Sequence, residues 1–147
     1  MDLRRLFDDL VRLETDLWSG LDARLRQECG VSMGGLDVLN VVARTPGCRV
    51  NEIAAALSIT VGGASQAVDR IERRGQLARR PHPVDRRSSV VELTDEGRAV
   101  VDSAGRVFDQ ELERWFRGTL GDDELRQLGA ALAALRGAGT RGAADGR

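Results

Sequence analysis

Lysine and tyrosine are absent, and all 22 basic side chains are arginine. There is one histidine, His82, and there are two cysteines, Cys29 and Cys48. A single histidine set between Pro81 and Pro83 cannot assemble a nucleophile, a base and an orienting group, so catalysis is not expected. The cysteines lack CxxC spacing and gather no further ligands, so neither a metal site nor a cofactor is expected. Two cysteines make no disulfide framework; both read as small packing residues, with a redox role left open. No apolar run approaches the roughly 20 residues of a membrane span. The start, MDLRR, has no signal-peptide core. The expectation is a cytoplasmic protein without membrane contact.

What is present is charge, unevenly placed. The 147 residues carry a formal −1. Residues 1–48 and 94–147 carry −2 each, while residues 49–93 carry +3. From Arg70 to Arg87, seven arginines stand against Glu72 and Asp85, a local +5. Phosphate binding depends on such patches, not on totals, and arginine forks suit phosphate better than lysine.

The basic stretch has an ordered pattern. Val50, Ile53, Ala54 and Leu57 fall at helical spacing and predict a short helix over 50–57. Thr60 is a candidate N-cap for a second helix from about Val61 to Arg74, with Ala64, Ala67, Val68 and Ile71 inward and Gly75 past its end. Two short helices joined by a tight turn make a helix-turn-helix, whose second helix meets base edges with its N-terminal residues. Gly62, Gly63, Ser65 and Gln66 hold that position. The glycines cost about 1 kcal/mol each against alanine. Close backbone approach to phosphate oxygens would offset that cost. Gln66 can pair bidentately with adenine. A loose helix start with a solvated Gln66 is the competing account. Next, Leu77–Arg80 and Ser89–Leu93 read as two strands, with Pro81 and Pro83 excluding a long helix and Val84–Arg87 forming the turn. An arginine at such a tip suits a narrow minor groove.

The flanks are helical. Leu3, Leu6, Leu10, Leu13, Leu17, Leu21 and Leu25 form a stripe along a helix over 2–29, with Phe7 and Trp18 beside it. That is more apolar surface than a small domain needs at its edge, so a partner subunit is expected across it. A second helix over 33–45 turns Leu36, Leu39, Val42 and Ala43 inward. Thr94 caps a helix over 95–117, and Asp122-Asp123-Glu124 open a last helix with Leu125, Leu128, Leu132 and Leu135 on its face. Residues 137–147 read as a disordered tail. The fold class expected is mainly α: a winged helix-turn-helix with a two-stranded β-hairpin wing and terminal helices forming a dimerisation region. Residues 31–97 are the DNA-binding part, and 1–30 and 98–136 the dimerisation helices.

ASQAVDRIERRG, DRRSSVVELT and TDEG, in that order, resemble the multiple-antibiotic-resistance regulator (MarR) family of winged-helix transcription factors. The likeness in architecture covers residues 3–136. It implies that Arg87 enters the minor groove, that Asp85 holds it or a neighbouring arginine, and that Arg86 meets phosphate. It also implies DNA contact by Gly63, Ser65 and Gln66; Arg70, from the same helix, is a further candidate DNA contact. The family more often has a basic residue at the position of Gln66, which bears on the operator sequence. An effector pocket between the first two helices and the DNA-binding lobe is implied as well. There Trp18 would stack on a planar ligand and Asp37 would take a hydrogen bond. ITVGGASQAVDR is similar to the urate-responsive branch, which answers to purine or phenolic anions. The competing account makes Trp18 core and Asp37 a first-turn helix acid. Peroxide sensing through a cysteine with tyrosine partners does not fit a chain without tyrosine.

The function expected is a sequence-specific DNA-binding transcriptional regulator, a repressor. It would be a homodimer on a near-palindromic operator in double-stranded DNA, released or modulated by a small planar or anionic ligand. The alternative is a winged-helix protein-interaction module whose arginines meet an acidic partner.

Overall fold

A computed structural model describes the backbone of residues 1–144 and the side chains of residues 1–138. The elements follow in the order α1 (Leu3–Cys29), α2 (Met33–Arg44), α3 (Val50–Leu57), α4 (Val61–Arg73), β1 (Leu77–Pro81), β2 (Ser89–Leu93), α5 (Asp95–Leu112), a π-helical turn (Glu113–Arg117) and α6 (Asp122–Ala144). They divide into two compact units, Met1–Phe108 and Asp109–Arg147.

Local chemistry sets the boundaries. Asp2, Ser32 and Thr60 cap α1, α2 and α4, each accepting a backbone N–H from the first turn. Gly30 and Gly75 take the left-handed conformation just past α1 and α4. Between α3 and α4, Ser58 itself sits at φ 53°, and the Ile59 N–H returns to the Ala54 carbonyl at 3.0 Å. That left-handed serine makes the tight turn of the helix-turn-helix.

The first unit is organised around one core. Leu25, Leu39, Ile53, Val68, Leu77 and Val91 bring α1, α2, α3, α4 and both strands together, all fully buried. Side chains of this size contribute about 1.5–3 kcal/mol each by leaving water. The strands pair antiparallel, Leu77 opposite Leu93 and Arg79 opposite Val91. The Val91 N–H also donates to the Cys48 carbonyl at 2.7 Å, which pins the hairpin base to the segment before α3.

The TDEG block has a geometric reason. Thr94 Oγ1 accepts from the Gly97 N–H at 3.0 Å and donates to the Gly75 carbonyl at 2.6 Å, while its N–H donates to the Gln76 carbonyl. Thr94 therefore caps α5 and ties it to the end of α4. Gly97 lies so close that a Cβ there would overlap the Gln76 carbonyl oxygen.

Three details differ from expectation. Ala43 is exposed, because the buried face of α2 passes through Leu36, Val38, Leu39, Val41 and Val42. The α-helical ladder of α5 ends at Leu112 and widens into the π turn, whose Gly118 N–H reaches the Glu113 carbonyl five residues back at 3.1 Å. A side chain at 118 would overlap the Arg114 carbonyl oxygen, so glycine permits that closure. Composition predicts a tail from residue 137, yet α6 continues through Ala144; its alanines propagate the ladder and no proline interrupts it. The rest of that stretch, 145–147, lies outside the described residues. The leucine stripe of α1, in line with its surplus length, is buried only at its C-terminal end, with Leu3, Leu6, Phe7, Leu10, Val11 and Leu13 exposed.

Gly97→Ala should cost about 2 kcal/mol or more, because the overlap is with backbone and no flexible side chain can yield. Urea unfolding measures it; an unchanged midpoint would show that α5 does not need this close approach.

Candidate nucleic-acid interface

Helix α4 buries Ala64, Val68 and Ile71 and turns its opposite side to solvent. Gly62, Gln66 and Arg70 are exposed there, and Gly63 and Ser65 are half-buried. No atom lies within 4 Å of a Cβ built on Gly62, and its φ is not left-handed. Nothing within the chain requires glycine at that position. Arg73 is also exposed, seven residues beyond Gln66 and so on the same face. The sequence reading missed it as an interface residue, although the spacing from Gly62 and Gln66 carries the signal.

The hairpin is held to α4 by one side chain. Arg79 of β1 donates to Asp69 at 2.7 Å and to Glu72 at 2.5 Å, one turn apart on α4. Burial works against its charge, but the bonds and charges of the two carboxylates outweigh that and raise its pKa. At the tip, His82 is a scaffold. Its Nδ1 accepts the N–H groups of Val84 and Asp85 at 3.1 and 2.9 Å, and its Nε2 lies 2.6 Å from the Arg49 guanidinium. Asp85 Oδ1 accepts the Arg87 N–H at 3.1 Å, so this carboxylate supports the arginine through its backbone.

That arrangement sorts the arginines. Arg79 is doubly paired, Arg80 lies 3.5 Å from Glu92, Arg74 donates to the Gly30 carbonyl at 2.7 Å and Arg73 to the Asp69 carbonyl at 3.3 Å. Arg70, Arg86 and Arg87 are exposed and make no ion pair among the described residues. Their charge is available to an outside anion.

Behind α4 lies a cavity of about 650 Å³. Its wall includes Asp37 of α2, Arg26, Arg70, Arg74 and Gln76, over an apolar floor that includes Val38 and Ile71. Asp37 is therefore brought to a cavity, whereas Trp18, 46% exposed on α1, is not in its wall. Burial pushes the Asp37 carboxyl above its ordinary value, with Arg44 opposing. Asp22 is shifted the other way, first by the Met33 N–H it accepts at 2.8 Å and then by Arg26; it fixes the start of α2 at the cavity rim. Among the described residues no group of three or more His, Cys, Asp or Glu could hold a metal ion. No described helix is long and apolar enough to cross a membrane.

Fold and site together define a winged-helix protein with a basic reading face. Residues 30–88 match the model of the MarR family. An HTH-type transcriptional regulator of Clostridium symbiosum (strain WAL-14163), BilQ, is 30% identical over 109 residues, spanning 74% of this chain and 75% of that protein. Among solved structures, Sco3205 of Streptomyces coelicolor, a MarR-family regulator in complex with DNA, superposes with a TM-score of 0.77 at 24% identity, covering 90% of this chain and 84% of that one. CouR of Rhodococcus jostii RHA1, bound to p-coumaroyl-CoA, gives 0.69 at 24% identity over 86% and 87%. These two establish the shared fold. The chain belongs to the MarR family and is a DNA-binding transcriptional regulator.

The raised Asp37 pKa has a signed consequence. The folded state holds the Asp37 proton to higher pH than the unfolded chain, whose value lies near 3.8. Stability therefore falls as pH rises from there through the folded value, and stays reduced above it. Asp37→Asn should melt higher than the parent at pH 7, with the gap closing below about pH 3.8, where Asp37 is protonated in both states. Thermal melts across pH decide it, and a lower melting temperature for the variant at pH 7 would contradict the assignment.

Proposed function

We propose that two copies of this chain form a homodimeric, cytoplasmic repressor that holds a near-palindromic operator. The observation that carries the reading is the coincidence of an exposed face on α4 with three unpaired arginines. Gly62, Gly63, Ser65, Gln66 and Arg73 enter the major groove, with Gly62 letting backbone approach phosphate closely. Arg70 and Arg86 neutralise phosphates, and Arg87 enters the minor groove. Asp85 and His82 shape the tip that presents it.

The dimer follows from surface. Six large apolar residues at the N-terminal end of α1, from Leu3 to Leu13, are bare in one chain, more than a soluble monomer leaves in one patch. The helices within 1–30 and 98–136 form the shared interface. A two-fold pair then sets its recognition helices about 34–36 Å apart, one turn of DNA.

The ligand reading rests on the cavity behind α4. Its volume falls within the range of about 300–1,000 Å³ that holds small molecules. Arginines beside an apolar floor suit a planar anion, and urate, a purine anion, is a suitable first probe. Asp37 contributes a hydrogen bond from the wall. CouR bound to p-coumaroyl-CoA gives a relative of this fold with an aromatic acyl ligand. A ligand there touches Arg70 and Ile71 of α4, so it displaces the reading helix only if it binds one placement of that helix better than the other.

Arg87→Ala should weaken operator binding more than about tenfold, the scale of a lost charge-assisted contact, with the dimer intact. Fluorescence anisotropy on a labelled operator, alongside sedimentation, separates the two effects. Unchanged affinity would remove the wing from the mechanism.

A further inference from the structure

Among the described residues, the large apolar side chains left exposed fall into two groups. One lies on α1 and α6 or at Met1. The other is Ile59, Val61 and Val84, in the turn before α4, the first turn of α4 and the hairpin tip. Ile59 lines the cavity behind α4, which accounts for it. Val61 is 52% exposed, lies outside the cavity wall and adds nothing to the core. A β-branched residue is also a poor helix former, and about half of this one faces solvent. The glycine beside it, Gly62, has open space around it. An apolar side chain next to a bare backbone position, at the N-terminal end of an exposed recognition helix, describes one half of a contact.

We propose that Val61 reads thymine: its methyls pack against the C5-methyl of a thymine in each operator half-site. The inference rests on the DNA-binding reading above. Base edges in the major groove are almost wholly polar, and the thymine methyl is the apolar group they offer. Phosphates give Val61 no apolar partner, sugars carry no sequence, and the hydrogen-bonding work is left to Ser65 and Gln66. Val61 is thus a specificity-determining residue, and Ser65, one turn on, lies beside the same base step.

The test uses the full-length protein and the tightest duplex it selects from a random-sequence pool. Each thymine is replaced in turn by uracil, which keeps the base pair and removes only the methyl. Wild type should lose about fourfold in affinity at one symmetry-related position, the worth of one buried methyl. Val61→Ala should bind the thymine duplex about fourfold more weakly and should no longer distinguish thymine from uracil at that position. Val61 is exposed and alanine favours helix, so the variant keeps its fold; circular dichroism checks this. Selection of a duplex without any uracil-sensitive position overturns the proposal, as does a sensitivity that survives in Val61→Ala, while the DNA-binding reading stands in both cases. Failure to retain any duplex overturns both.

Discussion

A recognition helix and a wing work as one reading surface only if the angle between them is fixed. Arg79 fixes it here. Its guanidinium leaves the strand β1 and spans Asp69 and Glu72 on α4, at 2.7 and 2.5 Å. Isolated surface ion pairs contribute about 0–1 kcal/mol. This one is half-buried, double and charge-assisted, so losing one carboxylate would still leave the other. The opposite edge of the hairpin is held by the Val91 N–H on the Cys48 carbonyl, and Thr94 ties its exit to the end of α4. Clamped at three places, the hairpin carries its tip arginines as a rigid extension of the helix-turn-helix.

The same pairing decides which charges remain for a partner. A chain of net charge −1 has no global attraction for DNA. Acidic side chains neutralise Arg79 and Arg80, and backbone carbonyls occupy Arg73 and Arg74, while Arg70, Arg86 and Arg87 stay open. Internal pairing thus concentrates the available positive charge on the reading face, where long-range attraction steers association. Arg70 also borders the cavity behind α4, so one side chain can answer to phosphate on one side and to a ligand on the other.

Much of this was legible in the sequence because it is local. Caps at Ser32, Thr60 and Thr94, left-handed glycines at 30 and 75, and the alternation in SVVEL depend on neighbours a few residues away. Arg70, Arg86 and Arg87 lack carboxylates at helical or cross-strand spacing, and within the basic stretch they are left with neither an ion pair nor a carbonyl among the described residues. What was not legible depends on distant parts. Arg79 reads as one more basic residue until α4 is folded against β1. His82 reads as a bystander until the tip closes over its ring. Asp37 reaches a cavity that α1 to α4 and the turn after α4 build, while Trp18, grouped with it by analogy, stays on the exposed part of α1. The π turn needs the close approach of Gly118 to Arg114, which no periodicity announces.

On this reading the open arginines dock on phosphate. A gel-shift titration against the DNA upstream of the protein's own gene, at 50 and about 200 mM salt, tests it most directly. Arg70 and Arg86 of each chain, doubled in a dimer, should neutralise about four phosphates and lose roughly a hundredfold in affinity across that range. An affinity indifferent to salt, or no retardation at either concentration, would contradict the account and favour an acidic protein partner for this face.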